Sequence, residues 1–122
     1  MLAGRTVLIV DREYLIALDI QNTLEELGAG PAVIAHSAAD AMDRAVNWQE
    51  AALAVVELED GKADLEGLVR SLQFAAIPTI ALTADQRLSR GHRLFPGIPV
   101  LLKPVPGDDL AKAARSLLGY KS

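Results

Sequence analysis

A chain of 122 residues with 51% hydrophobic residues is long enough for one domain with a sizeable core, and with only 4% aromatics that core is built from Leu, Ile, Val and Ala. The formal net charge of −4 argues against a dedicated nucleic-acid surface, and the absence of cysteine excludes disulfides and thiolate metal sites. No apolar run approaches the roughly 20 residues that span a membrane, and the start of the chain lacks a signal-peptide pattern, so the expectation is a single cytoplasmic domain over residues 1–122 with no membrane contact.

Arg5 to Val10 reads as a strand, with Val7-Leu8-Ile9-Val10 running straight into Asp11. An amphipathic helix follows over about Tyr14 to Leu27, because Ile16, Ile20, Leu24 and Leu27 fall on one face. Gly28 ends it, and Gly28-Ala29-Gly30-Pro31 forms a turn. Ala32 to His36 is a short second strand. Ser37 is an N-cap for a helix over about Ala38 to Val46, whose Ala38, Ala41, Met42 and Ala45 are expected to face inward. Trp48 is expected to cover a strand or helix end.

Leu53-Ala54-Val55-Val56 is a third strand, short and apolar as a parallel strand covered on both faces must be, and it ends abruptly in Glu57. After the polar loop Glu59 to Asp64, Leu65, Leu68, Val69 and Leu72 make the stripe of the next helix, with Asp64 as a candidate cap. Thr79-Ile80-Ala81-Leu82 is a fourth strand that ends in Thr83. Between Ala84 and Pro99 the breakers Gly91, Pro96, Gly97 and Pro99 leave room for a short helix at most, over about Asp85 to Arg90. Val100-Leu101-Leu102 is a fifth strand that runs into Lys103. The last helix starts at Pro106 with Asp108 or Asp109 and buries Leu110, Ala113, Ala114 and Leu117.

Strands that alternate with helices indicate an α/β fold with a parallel sheet. At this length the expected form is a flavodoxin-like, doubly wound, five-stranded sheet in the order 2-1-3-4-5, with a shortened fourth helix. Parallel strands share their C-terminal edge, so Asp11, Glu57, Thr83 and Lys103 converge there. Asp11 and Glu57 fall at the crevice where the strand order reverses.

These four strand ends, with Thr83-Ala84 and Lys103-Pro104, make the chain resemble the CheY-like receiver domain of two-component response regulators over nearly its whole length. The resemblance implies that the position of Glu57 is the phosphoacceptor, where the family carries aspartate. It implies that acids after the first strand help to hold Mg²⁺, that Thr83 contacts the phosphoryl group, that Lys103 pairs with it, and that the Lys103–Pro104 bond is cis. The sequence departs from the family at Glu57 and at Arg12, which stands where a second acid is usual. Val100 replaces the aromatic residue that some receivers use in signalling.

The family pocket has a formal charge of about −2, which recruits a hard divalent cation through oxygen ligands. Here Asp11 and Glu57 face Arg12 and Lys103, and the sum is zero. Mg²⁺ binding is therefore expected to be weak or absent, with Asp11 and Glu57 as weak candidate ligands and no other cofactor. Glu57, one methylene longer than aspartate, reaches towards Lys103 and Thr83 and disturbs the geometry for phosphoryl transfer. The expected function is a stand-alone, degenerate pseudo-receiver in phosphorelay signalling. It is not an enzyme, and it acts independently of phosphorylation through protein partners: a histidine kinase, another receiver or an output protein. Homodimerisation is open. Arg87, Arg90, His92 and Arg93 form a basic cluster that, with Val100, is a candidate partner surface. Two other readings remain: a working phosphorelay receiver that uses Glu57, Glu59 or Asp60 as acceptor, and a flavodoxin-like small-molecule binder. Neither a glycine-rich phosphate loop nor a Ser-His-Asp set is present to support a catalytic assignment.

Overall fold

A computed structural model describes residues 2–58, 63–88, 91 and 95–119. Strands β1 (Val7–Val10), β2 (Ala32–Ala35), β3 (Leu53–Glu57), β4 (Thr79–Thr83) and β5 (Val100–Leu102) form one sheet in the order β2-β1-β3-β4-β5. Every pair is parallel, with Val10 beside Val56, Glu57 beside Leu82 and Thr83 beside Leu102. This is the expected flavodoxin-like sheet.

The period of two along the strands sorts the core onto two faces. Leu8, Val10, Ala54, Val56 and Ala81 pack with α2 (Ala38–Asp43), α3 (Ala45–Trp48) and α4 (Ala63–Phe74). Val7, Ile9, Val55, Ile80 and Leu82 pack with α1 (Tyr14–Glu26) and α5 (Gly107–Leu117) on the other side. Both faces are covered, which explains why β1, β3 and β4 are buried along their whole length.

The helix expected over Ala38 to Val46 is interrupted. Ser37 caps α2 by accepting from the Asp40 N–H at 3.0 Å, but Arg44 leaves the helical region at φ −112° and a second short helix follows. Two contacts suit the break. The Arg44 guanidinium donates to the Ile34 carbonyl, and the buried Trp48 indole N–H donates to the Ala41 carbonyl at 2.7 Å. Trp48 is thus a core residue that bridges the two helices. Met42, expected inside, is 39% exposed, while Ala41 alone of α2 is fully buried.

Between β4 and β5 the regular structure among the described residues is one 3₁₀ turn, Gln86–Leu88, within the stretch where a short helix at most was expected. Asp64 lies inside the first turn of α4, and Asp108 and Asp109 inside the first turn of α5, whose N-cap is Pro106. Gly30 has a steric reason. A Cβ there would lie 2.0 Å from the Gly4 carbonyl oxygen, because the segment before β1 bonds directly to the α1–β2 turn, with the Gly4 N–H on the Gly28 carbonyl and the Gly30 N–H on the Arg5 carbonyl. Among the described residues, no helix is long and apolar enough to cross a membrane.

Candidate functional site at the carboxyl edge of the sheet

The register that buries the strands also builds the site. Val10 pairs with Val56, so the next residues, Asp11 and Glu57, emerge side by side where the chain leaves the core. Both are buried, Asp11 at 1% and Glu57 at 7% exposure, and buried charges need partners. Lys103, just past β5, supplies one. Its backbone N–H donates to the Thr83 carbonyl at 2.7 Å, and its Nζ donates to Glu57 Oε2 at 2.7 Å and Asp11 Oδ2 at 3.0 Å. These short charge-assisted bonds consume two of the three ammonium protons. The Lys103–Pro104 peptide is cis.

The β1–α1 turn closes over this pair. Asp11 Oδ1 accepts from the Glu13 N–H at 2.8 Å, and Glu57 Oε1 accepts from the Arg12 N–H at 3.2 Å. The Arg12 guanidinium turns toward the site as well, with Nε 3.6 Å from Glu57 Oε2, although the side chain stays 64% exposed. Glu13 makes no side-chain cap for α1; its carboxylate instead lies 3.6 Å from Lys103 Nζ. That contact changes the charge count made from sequence. Asp11, Glu57 and Glu13 against Lys103 and Arg12 leave a formal −1 rather than zero. No periodic pattern in the chain signals that Glu13 folds back on Lys103.

Burial disfavours a charged Lys103, but the hydrogen bonds and charges of Glu57 and Asp11 outweigh that cost and raise its pKa above the ordinary lysine value. Asp11, Glu13 and Glu57 can each bring one oxygen within 4.8 Å of the others, and this all-oxygen donor set suits a hard divalent cation. The ammonium is already bonded to two of the three, so a cation would compete with it for those carboxylates.

Thr83 is buried at the end of β4, and its hydroxyl accepts from the Asp85 N–H at 3.0 Å. Glu57 reaches Lys103, as expected; among the described residues its side chain makes no hydrogen bond to Thr83. Arg87 is not a free cation, since it forms a two-pronged pair with Asp85, whose pKa the Arg87 hydrogen bonds lower. Val100 is partly buried against the core on the α4 face. Arg90, His92 and Arg93, and the alternative acceptors Glu59 and Asp60, lie outside the described residues.

A parallel sheet in this order, carrying acid, threonine and lysine at successive strand ends, defines a receiver-type signalling domain. Neither a protein-family model nor a curated protein matches the chain. Solved structures do. SdrG from Sphingomonas melonis Fr1 is 30% identical, with a TM-score of 0.74 over 97% of this chain and 99% of that one. The response regulator PhyR from Brucella abortus is 28% identical, with a TM-score of 0.71; the match covers 94% of this chain but only 47% of PhyR, so the chain spans about half its length. The receiver domain of Erythrobacter litoralis PhyR, at 22% identity, has the same fold with a TM-score of 0.75 over 98% of this chain and 94% of that domain. The chain belongs to the response-regulator receiver family.

Proposed function

We propose that this receiver works in cytoplasmic two-component signalling as a protein-interaction module held in one state by its own side chains, without taking a phosphoryl group on Glu57. One observation carries the reading: Lys103, the residue expected to pair with a phosphoryl group, is already bonded to Glu57 and Asp11. Glutamate reaches the ammonium because of its extra methylene, so the acceptor position and the counter-charge satisfy each other. Arg12 strengthens the arrangement from the solvent side, where a second acid would otherwise add to a metal site. The domain then binds its protein partner, whether kinase, second receiver or output protein, with no need for phosphotransfer or Mg²⁺, and does no catalysis of its own.

Incubation with acetyl phosphate and Mg²⁺, followed by intact mass, tests this. The expected result is no adduct on the wild type and a labile adduct on the double variant Arg12→Asp/Glu57→Asp, which restores both acids. A labile adduct mapped to Glu57 in the wild type would overturn the reading. Beryllofluoride with Mg²⁺ provides the non-covalent counterpart: amide shifts around Asp11, Glu57, Thr83 and Lys103 are expected in the double variant only.

A further inference from the structure

Behind the Lys103 clamp, between α1 and the start of α5, lies a cavity of about 350 Å³. Ile16, Ile20, Leu82, Val105 and Leu110 give it an apolar floor. Its volume falls within the range of about 300–1,000 Å³ of small-molecule sites, and Asp19, Thr23 and Lys103 add polar wall to the apolar floor. Two ionisable side chains line it, and they are not equivalent. Lys103 directs its ammonium away to Glu57 and Asp11, leaving its aliphatic stem and Pro104 as wall. Asp19 is exposed on α1 and makes no ion pair among the described residues. The Thr23 hydroxyl at the same wall donates to the Asp19 carbonyl, so it does not neutralise the carboxylate. The cavity therefore presents apolar surface beside one unpaired negative charge, with the nearby cation spent elsewhere.

We propose that this cavity binds a small amphiphile consisting of an apolar body and a protonated amine, with the amine on Asp19 and the body on Ile16, Ile20, Val105 and Leu110. The occupant touches the stem of Lys103, so binding is read at the clamp on the other side of the residue. A lysine that spans the two sites is the physical link, because a shift of its stem moves an ammonium held by two short hydrogen bonds. The binding site does not depend on how Glu57 behaves toward phosphoryl donors; only the readout at the clamp touches the function proposed above.

Backbone amide NMR with three probes of one shape tests the site: phenethylamine, phenethyl alcohol and phenylacetate. The amine is expected to give saturable shifts at Ile16, Ile20, Val105 and Leu110 and at Lys103 and Glu57. The alcohol is expected to bind a few-fold more weakly and phenylacetate not measurably. Asp19→Asn should reduce the amine to the affinity of the alcohol, a loss of about two- to fivefold for an exposed ion pair. Thr23→Leu, which crowds the wall without touching the clamp, should weaken amine and alcohol alike. Absence of saturable shifts with the amine overturns the site, and equal binding of amine and acid overturns its ligand class. Shifts confined to the cavity, with Lys103 and Glu57 unmoved, overturn the coupling.

Discussion

Glu57 shows how one methylene redirects a site. Its backbone position follows from β3, but its longer side chain lets one carboxylate accept from both the Lys103 ammonium and the Arg12 N–H. Lys103 is the more consequential partner, since removing it leaves Asp11 and Glu57 facing each other as buried anions. Lys103→Met is expected to lower unfolding stability at pH 7 by about 3–5 kcal/mol, the cost of stranding buried charge, read as a lower urea midpoint. The pH dependence has a defined sign. The pKa of Lys103 is raised on folding, so its contribution is complete below about 10.5, the value in the unfolded chain, and is lost as the pH climbs through the higher folded value. The gap between wild type and Lys103→Met should thus hold from pH 7 to 10 and shrink above 10.5. A gap that narrows between pH 8 and 9 would contradict a raised pKa.

Secondary-structure elements were legible from pattern where the pattern was strong. Of the apolar stripe Ile16, Ile20, Leu24 and Leu27, the last three are buried in or next to α1 and Ile16 is partly buried, and Leu65, Leu68, Val69 and Leu72 are buried in α4. Pattern failed for the segment after Ser37, where the alanines suggested one helix and the structure has two. Alanine favours helix, so the break at Arg44 runs against local propensity, and the contacts that stabilise it come from Trp48 and from Arg44 on β2, which no local periodicity encodes. Two substitutions probe this region. Ser37→Ala removes the hydroxyl that caps α2 and should cost about 1 kcal/mol in a urea titration. Gly30→Ala puts a methyl 2.0 Å from the Gly4 carbonyl oxygen and should cost at least about 2 kcal/mol, since backbone and not a movable side chain stands in the way.

At the scale of the molecule, the doubly wound sheet covers both faces of its central strands and gathers functional side chains at one edge. That edge has the oxygen donors for a cation together with an ammonium that competes for them. Raising Mg²⁺ to 10 mM is therefore expected to move the thermal midpoint by less than about 2 °C, because only a ligand well above its dissociation constant stabilises appreciably. A rise of more than about 5 °C would mean that the ion binds at this edge in spite of Lys103. The alternation of short apolar runs with amphipathic stripes carried enough information for the sheet order and for the meeting of Asp11, Glu57, Thr83 and Lys103, because strand parity and crossover handedness leave few ways to arrange five strands. What pattern did not carry was the wiring at that edge. Glu13 turns back toward Lys103, Arg12 reaches Glu57 while staying exposed, and Asp85 holds both the Thr83 hydroxyl and Arg87. The first two depend on the direction and length of a side chain leaving a turn, which is chosen by neighbours far along the chain; the last is a local turn; none of them leaves a periodic trace in the order of residues.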